Sequence, residues 1–309
     1  MTSRIQQSTN AILMIRPHRF YPNPETAGDN AFQQDIAADQ MLAVSAAARS
    51  EFDRAVEQLR GAGVTVEVVD DTATPEKPDA VFPNNWFSTH HDGRVALYPM
   101  YSAARRKERR LDVIDTLRAH YRITEVVDYS GEETEGRSLE GTGSLVLDHV
   151  HKIAYASLSH RTHPEVLKKF CRDFGYEPVT FRSESEPGRP IYHTNVMMCV
   201  GSEFALIGLE NIPDEAERIG VQNLLEASGK EVIELRPAQI EEFAGNAIEL
   251  HNDREKLLVL STRAAAALTS AQQAAIERFA RLLPLSLPTI ELAGGSARCM
   301  IATIHLPRL

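Results

Sequence analysis

Five short polar motifs recur along this chain at a nearly constant interval. The motifs are FPNN, LEGTG, YHTN, FAGN and GGSARC, and each one begins or precedes a strand-like segment. One residue from each motif gives Asn85, Glu140, His193, Asn246 and Cys299, at intervals of 55, 53, 53 and 53 residues. A constant period of about 50 residues indicates a repeat architecture in which every repeat is one supersecondary unit.

Short segments rich in β-branched, aliphatic and aromatic residues lie around the motifs, and they predict strands. Small or polar pairs separate neighbouring segments at Asp92-Gly93, Gly201-Ser202 and Asn252-Asp253, which predicts hairpin turns. The predicted strands are VALYP, SLVLD, IAYASL, VMMCV, FALIGL, EVIEL, KLLVLS and CMIATIHL.

Five helices are predicted between these strands, each followed by one further strand. The first two cover residues 33–60 and 104–120. The other three are placed by capping-box patterns, in which a capping residue precedes an acidic or amide residue by three positions. These patterns are Thr162-His163-Pro164-Glu165, Asp214 with Glu217, and Ser270 with Gln273.

The first repeat unit has no strand pair of its own. The N-terminal strand AILMIRP is expected to pair with the C-terminal strand CMIATIHL and complete that unit, which closes a ring without exposed sheet edges. The predicted fold class is α/β, a five-fold pseudosymmetric α/β propeller in a single domain of residues 1–309. Five unrelated αβ units in an open sheet are the alternative. The predicted repeat units are residues 1–84 with 299–309, 85–139, 140–192, 193–245 and 246–298.

Composition excludes several classes of partner. The net charge of −10 argues against nucleic acid and anionic membranes, which are bound through clustered Lys and Arg. The basic run RRKERR at 105–110 is interpreted as a solvated helix face. No apolar segment reaches about 18 residues, so no transmembrane helix is predicted, and MTSRIQQSTN lacks the apolar core of a signal peptide. Three cysteines without metal-ligand spacing fit a reducing, cytoplasmic setting.

Equivalent positions of the units in a ring face one central axis. The five motif residues are therefore expected to converge: Asn85, Glu140, His193, Asn246 and Cys299. Among them a carboxylate, an imidazole and a thiol form an orienting group, a base and a nucleophile. Gly294 and Gly295 precede the thiol and let the backbone approach a ligand closely.

Each candidate also has a structural interpretation. Cys299 fits a small buried apolar residue, His193 a core or turn histidine, and Glu140 a capping carboxylate. Two other cysteines, Cys171 in a predicted helix and Cys199 in a predicted strand, are expected to be buried and structural. The remaining histidines, including the pair His90-His91, are expected at the surface.

The motifs resemble those of the guanidino-group-modifying superfamily with the pentein fold, which includes arginine deiminase, dimethylarginine dimethylaminohydrolase, succinylarginine dihydrolase and amidinotransferases. VFPNN is similar to its acidic substrate-binding motif, LEGTGSLVL to its Glu-Gly-Gly or Asp-Gly-Gly motif, YHTNV to its histidine motif and GGSARCM to its cysteine motif. The opening RPHRFYPNPET at 16–26 and DNAFQ at 29–33 resemble the amidinotransferase-like branch of citrulline-utilisation hydrolases.

The resemblance implies a role for each motif residue. Cys299 would be the nucleophile, His193 the general acid and base, and Glu140 the group that orients the imidazole. Arg105 would bind the substrate carboxylate as a fork, although Arg161 is an alternative cation. The first segment would lie over the mouth of the ring and contact the amino-acid end of the substrate; the candidates there are Asn23, Glu25 and Asn30, and Asn246 is a further substrate-binding candidate. Packing of this segment as a simple loop is the alternative.

Amides replace carboxylates at two positions of the family pattern. Arginine-handling members place an acidic residue where Asn85 stands, and arginine deiminases place an aspartate where Asn195 stands. With Asn84, these amides offer both donors and acceptors to a neutral ureido group, whereas a buried guanidinium requires a carboxylate. Succinylarginine dihydrolases also carry one amide and begin from a guanidinium, so that substrate stays open. An Asx-type turn at Asn84 and Asn85 is the structural interpretation.

The predicted reaction is hydrolysis of citrulline to ornithine, ammonia and carbon dioxide through an S-carbamoyl cysteine, with His193 in its cationic form favouring the thiolate of Cys299. The alternatives are an arginine or modified-arginine deiminase or dihydrolase and a dimethylarginine hydrolase. An amidinotransferase, a non-catalytic binding scaffold and a cysteine protease fit less well. No metal or organic cofactor is expected. A small amino acid is the expected partner, and the sequence leaves open whether the chain forms a homo-oligomer.

Overall fold

The computed structural model describes residues 5–309, and within them the chain is a mixed α/β protein built from small sheets. The strands are β1 (Ala11–Arg16), β2 (Thr65–Asp70), β3 (Phe87–Thr89), β4 (Arg94–Leu97), β5 (Glu125–Asp128), β6 (Val146–Asp148), β7 (Ile153–Ser157), β8 (Glu177–Phe181), β9 (Glu184–Glu186), β10 (Arg189–Pro190), β11 (Met198–Val200), β12 (Phe204–Ile207), β13 (Glu231–Glu234), β14 (Ile248–His251), β15 (Lys256–Ser261), β16 (Arg281–Leu285) and β17 (Ala302–Thr303).

Short helices and longer ones alternate between these strands. The α-helices are α1 (Met41–Gly61), α2 (Ala103–Arg106), α3 (Leu111–Arg118), α4 (Gly141–Ser144), α5 (Pro164–Phe174), α6 (Thr194–Met197), α7 (Glu215–Ala227), α8 (Pro237–Glu241), α9 (Thr262–Ala267) and α10 (Ser270–Glu277). Turns of 3-10 helix cover Ala38–Gln40, Pro83–Asn85, Ser130–Glu135, Leu209–Asn211 and Ile290–Leu292.

Five three-stranded sheets share one pairing pattern. The orders are β17-β1-β2, β3-β4-β5, β6-β7-β8, β11-β12-β13 and β14-β15-β16. In every sheet the first pair is antiparallel and the third strand runs parallel to the middle one. The crossover from the middle strand to its parallel partner holds a helix in each case, as parallel pairing requires. The repeat read from the spacing of the motifs is therefore present in the sheet topology.

The two ends of the chain meet in one sheet. Strand β17 pairs antiparallel with β1, so that Ile12 lies opposite Thr303 and Leu13 opposite Ala302. Strand β17 thus takes the place that the first strand of a hairpin holds in the other four sheets. The predicted pairing of the N-terminal and C-terminal strands is confirmed.

The predicted starts of the helices agree best with the structure where a side chain caps the N-terminus. Asp214 accepts a hydrogen bond from the backbone N–H of Glu217 and begins α7 as predicted. The fifth long helix is capped one residue earlier than predicted, by Thr269. The first predicted helix was placed too early, because residues 33–37 precede the first helical turn.

The basic run at 105–110 does not form a solvated helix face, so that interpretation was wrong. It begins in the last two residues of α2 and ends just before α3, and Arg105 and Glu108 are buried. Among residues 5–309, no helix combines the length and apolarity needed to cross a membrane.

Two further sequence expectations concern buried residues. Cys171 and Cys199 are buried and free, the first in α5 and the second in β11, as expected. Three histidines that were expected at the surface are buried instead: at most 8% of the residue surface is exposed at His90, His149 and His305. Their burial was missed because a hydrophobic pattern does not reveal aromatic polar rings that stack on one another inside a fold.

The motif segments lie immediately before the first strand of their sheets. Helix α4, which follows Glu140, contacts the 3-10 turn Pro83–Asn85 and also contacts α6, which follows His193. Motifs from three different sheets are therefore neighbours in space.

Candidate active site

A small cavity collects the residues that the spacing singled out. It has about 20 Å³ of space for the centre of a water-sized molecule. Glu140 and His193 occupy the N-cap positions of α4 and α6, and Cys299 lies in the turn that leads to β17. The lining residues are Thr26, Asn30, Asp79, Phe82, Asn85, Arg105, Arg161, Tyr192, His193, Ala293, Gly295 and Cys299.

His193 and Glu140 form a buried pair. Nε2 of His193 lies 2.8 Å from Oε2 of Glu140, and Oε1 of Glu140 accepts from the backbone N–H of Tyr101 at 2.9 Å. Burial raises the pKa of Glu140, but Arg161, His193 and Arg105 outweigh it and bring that pKa to about 2. Glu140 is therefore a carboxylate that only accepts hydrogen bonds, and Nε2 of His193 is the donor.

The imidazole is neutral at pH 7, which corrects the expectation of a cationic His193. Burial lowers the pKa of His193 to about 4, although the hydrogen bond and charge of Glu140 act in the opposite direction. Since Nε2 carries the hydrogen, Nδ1 holds the lone pair. Nδ1 lies beside Gly143, where an added Cβ would be 2.8 Å from Nδ1 and 2.3 Å from Nδ2 of Asn85.

Amides surround the sulfur atom of Cys299. Sγ accepts from Nδ2 of Asn246 at 3.3 Å and from Nδ2 of Asn195 at 3.5 Å, and 3% of Cys299 is exposed. Asn246 also connects to the backbone, because its Oδ1 accepts from the N–H of Arg298 and its Nδ2 donates to the carbonyl of Asn195. Motif residues from three sheets thus fix the position of one thiol.

Arg105 does not present a free fork to the cavity. Its Nε and Nη2 each donate at 2.9 Å to the carboxylate of Glu108, and Nη1 donates at 2.9 Å to Oδ1 of Asn85. Burial raises the pKa of Glu108 to about 7, although Arg105 acts to lower it. The guanidinium therefore holds Asn85 and Glu108 in this structure, and Arg105 also lines the cavity.

Arg161 is the other buried cation on the cavity wall. Its Nε and Nη2 donate to the two carboxylate oxygens of Asp29 at 2.9 and 2.6 Å. Its guanidinium carbon also stands 4.5 Å from the ring centroid of Tyr192, in cation–π geometry. Asp29 belongs to the N-terminal segment and retains 22% of its side-chain exposure, whereas Arg161 retains 3%.

Asp79 is a cavity carboxylate that the sequence reasoning missed. It is 4% exposed, its Oδ2 accepts from Nδ2 of Asn23 at 2.9 Å and lies 3.6 Å from Nε of Arg105. Burial raises the pKa of Asp79, against the effect of Arg105. The signal was present, since an acidic residue stands six positions before Asn85 in KPDAVFPNN. A carboxyl group therefore lies near the amides.

The N-terminal segment reaches the cavity through fewer residues than expected. Asn30 and Thr26 line it, while Asn23 stands behind Asp79 and Glu25 accepts from the hydroxyl of Ser102 at 2.7 Å. Asn84 is fully buried outside the lining, so the structure does not bring it to the cavity with Asn85.

The glycine pair before Cys299 makes room for protein groups. A Cβ at Gly294, whose φ is +78°, would meet the side chain of Asn30 at 2.4 Å. A Cβ at Gly295 would meet the ring of Phe82 at 2.7 Å. The close approach expected for these glycines is thus made to Asn30 and Phe82.

Comparison with known proteins decides the family. The family described as N,N dimethylarginine dimethylhydrolase, eukaryotic, matches residues 16–306. The chain belongs to this family. It is thereby a member of the pentein superfamily of guanidino-group-modifying proteins, as the resemblance of the motifs indicated. No curated protein sequence matches this dimethylhydrolase family member.

Solved structures share the fold of this dimethylhydrolase family member at low identity. One such structure is the substrate complex of the N-terminal domain of ArgZ, an arginine dihydrolase from cyanobacteria. Its sequence is 16% identical, and its TM-score is 0.74 over 97% of this chain and 99% of that chain. AgrE in complex with ornithine and NAD+ is 17% identical, with a TM-score of 0.72 over 96% of this chain and 39% of that chain. A dimethylarginine dimethylaminohydrolase adduct with S-methyl-L-thiocitrulline is 14% identical, with a TM-score of 0.64 over 95% and 98%.

Proposed function

We propose that this protein is a cysteine-dependent hydrolase that cleaves the C–N bond of a ureido amino acid and releases ornithine, with citrulline as the substrate. One observation carries the proposal: the sulfur of Cys299 is held by the amides of Asn195 and Asn246, beside the buried pair of His193 and Glu140. The amide of Asn85 lines the same cavity, and its Nδ2 is buried without a partner in the described chain, so it can donate to the carbonyl oxygen of a neutral ureido group.

The first half of the reaction forms a covalent intermediate. Cys299 attacks the ureido carbon while the neutral His193 takes the thiol proton, so the sulfur–carbon bond forms as the carbonyl becomes an oxyanion. The imidazolium then donates its proton to the δ-nitrogen of the leaving ornithine, and the carbon–nitrogen bond breaks. Glu140, with its pKa of about 2, remains charged throughout and stabilises the transient imidazolium.

The second half uses water. His193 accepts a proton from the water that attacks the S-carbamoyl cysteine. The sulfur leaves as the tetrahedral intermediate collapses and takes the proton back from the imidazolium, which restores the thiol and the neutral His193. The product carbamate separates into carbon dioxide and ammonia. The amides of Asn195 and Asn246 direct N–H groups at the sulfur, which favours its negative charge when it is the leaving group.

The substrate carboxylate is assigned to Arg161. Arg105 is committed to Glu108 and Asn85, whereas the fork of Arg161 is held by Asp29, a partly exposed residue that a substrate carboxylate can replace. Asn30 and Thr26 line the cavity and contact the amino-acid end in this arrangement.

A second candidate begins one step earlier, from arginine. Asp79 favours it, because a buried carboxylate on the cavity wall pairs with a guanidinium. Cys299 would attack the guanidino carbon and release ammonia, and water would then displace the sulfur from this covalent intermediate and give citrulline. The ureido step would take the citrulline to ornithine. ArgZ, which shares the fold, is an arginine dihydrolase.

The same proposal includes the branch and the architecture. We assign the chain to the citrulline-utilisation hydrolases within its family and treat residues 1–309 as one domain. Four apolar clusters support a closed ring: they join the first sheet to the second, the second to the third, the third to the fourth and fifth, and the fifth to the first.

Product analysis tests the proposed function. The purified protein is incubated separately with citrulline, arginine and dimethylarginine, and ornithine, citrulline and ammonia are quantified. Ornithine from citrulline, absent with Cys299→Ala, is the expected result; Cys171→Ala is the matched cysteine control. Ornithine from arginine as well supports the second candidate. Citrulline accumulating from arginine or dimethylarginine, without ornithine, would sink the ureido assignment.

A further inference from the structure

Arg298 and Cys299 are adjacent residues that line two different cavities. Cys299 faces the candidate active site, whereas Arg298 faces a second cavity, which has about 50 Å³ of space for the centre of a water-sized molecule and shares no lining residue with the first. We name the second one the histidine cavity, because His149 and His305 line it together with Arg298.

The guanidinium of Arg298 has no counter-charge in contact with it. Its single side-chain hydrogen bond runs from Nη1 to the carbonyl of Ile301 at 2.7 Å, and no carboxylate oxygen of residues 5–309 lies within 4.0 Å of it. Burial lowers the pKa of Arg298 to about 10, so the group stays charged at neutral pH. The one carboxylate on the wall, Glu249, is bound to the backbone N–H and hydroxyl of Ser202.

The histidines supply uncommitted ring nitrogens beside this charge. The ring centroids of His149 and His305 are 4.2 Å apart. Nδ1 of His149 pairs with the hydroxyl of Tyr176 at 2.8 Å, which leaves Nε2 without a protein partner, and Nδ1 of His305 is buried without a partner in the described chain. The rings do not converge on a metal site, since no set of three ligating side chains among residues 5–309 does so.

Gln7, which precedes β1, lies at the wall of the histidine cavity. Nε2 of Gln7 donates to the carbonyl oxygens of Leu147 at 2.8 Å and Val200 at 3.0 Å, and its Oε1 accepts from the backbone N–H of His149. The side chain of Gln7 thus connects β6 to β11 beside the cavity.

We propose that the histidine cavity binds a small oxyanion, of the size of bicarbonate or phosphate, through the guanidinium of Arg298 and the N–H groups of His149 and His305. Arg298 is partly buried, and a cation withdrawn from water without a counter-charge is costly. An oxyanion accepts from the planar guanidinium in the geometry that it prefers. The site is independent of the proposed hydrolysis.

The test measures anion binding on the intact protein. The thermal unfolding midpoint is followed against sodium phosphate and sodium bicarbonate, each titrated at constant ionic strength with sodium chloride, and binding is repeated by calorimetry. Wild type, Arg298→Gln, Arg161→Gln and the surface control Arg278→Gln are compared. The expected result is saturable stabilisation that Arg298→Gln weakens by at least about tenfold and the other two variants retain.

Each other outcome overturns the proposal. A response lost in Arg161→Gln and kept in Arg298→Gln places the anion in the candidate active site. No saturable response in wild type means that the cavity holds water only. If Arg298→Gln does not fold, His305→Asn replaces it and is expected to weaken binding severalfold; unchanged binding in that variant rejects the site.

Discussion

Nε2 of His193 stands 2.8 Å from Oε2 of Glu140, although 53 residues separate them in the chain. The two residues begin α4 and α6, helices of only four residues that contact each other. Because Glu140 is ionised and His193 is neutral, the contact fixes the tautomer of the imidazole: Nε2 carries the hydrogen and Nδ1 carries the lone pair.

Replacing Glu140 by glutamine tests this relationship. Glu140→Gln keeps the shape but removes the charge that stabilises an imidazolium, so kcat is expected to fall about 10²- to 10⁴-fold. The measurement is steady-state ornithine release, with circular dichroism to verify the fold. Glu165→Gln, on an exposed helix end, is the matched control and should retain full activity. A Glu140→Gln variant with wild-type kcat would remove Glu140 from the mechanism.

Gly143 is predicted to be irreplaceable. A Cβ at this position would stand 2.3 Å from Nδ2 of Asn85 and 2.8 Å from Nδ1 of His193, so Gly143→Ala must displace one of the two. We expect loss of most of the activity, with a stability cost of about 1–3 kcal/mol from overpacking. Gly131→Ala, where no atom lies within 4 Å, is the control for both activity and urea unfolding. Equal activity in the two variants would contradict this geometry.

The sequence predicted the repeat and the meeting of its motifs because both depend on spacing. A fixed period places equivalent residues at equivalent points of a fold, so Glu140, His193 and Cys299 could be grouped without knowing any distance. Pairing of β1 with β17 followed from the same count, since the first unit had no hairpin of its own.

The charges of the site could not be predicted in this way. The two-point contact of Arg105 with Glu108 is one example, because spacing does not report side-chain direction. Asp79 lies outside the repeated motifs, and its contribution depends on a contact with Asn23 across 56 residues. The neutral state of His193 follows from burial, which only the fold determines.

Asn85→Asp tests the preference for an uncharged substrate. The new carboxylate keeps the acceptor for Nη1 of Arg105 and adds a negative charge near Asp79, which favours a guanidinium over a ureido group. We expect kcat/KM for citrulline to fall by about tenfold or more, with arginine use rising relative to it. Competition assays with both amino acids measure the ratio, and Asn223→Asp at an exposed position of α7 is the control. An unchanged ratio would reject the amide argument.

The buried histidines predict a loss of stability in acid. Burial, together with His90, His91 and nearby cations, holds the pKa of His149 well below 6.5. The unfolded chain therefore binds a proton at His149 below pH 6.5 that the native chain does not bind, and stability falls as the pH drops. His149→Gln should reduce this slope by about 1.4 kcal/mol per pH unit between about pH 6 and 5.

Urea unfolding in chloride buffers at several pH values measures that slope. His160→Gln, at an exposed histidine, serves as the matched control. The same slope in wild type and His149→Gln would show that His149 takes up its proton without unfolding.

Asp29→Asn examines whether a residue of the N-terminal segment competes with the substrate. Asp29 holds both donors of the Arg161 fork, at 2.9 and 2.6 Å, and a substrate carboxylate must displace it to bind there. Removing the charge weakens this competitor, so KM for citrulline is expected to fall about threefold to tenfold while kcat stays near its wild-type value. Asp53→Asn is the control, because Asp53 makes the same two-point contact with Arg16 at 2.7 and 2.8 Å outside the cavity lining. A raised KM in Asp29→Asn alone would mean that Asp29 helps to build the binding site, and Arg161 would then no longer be the partner of the substrate carboxylate.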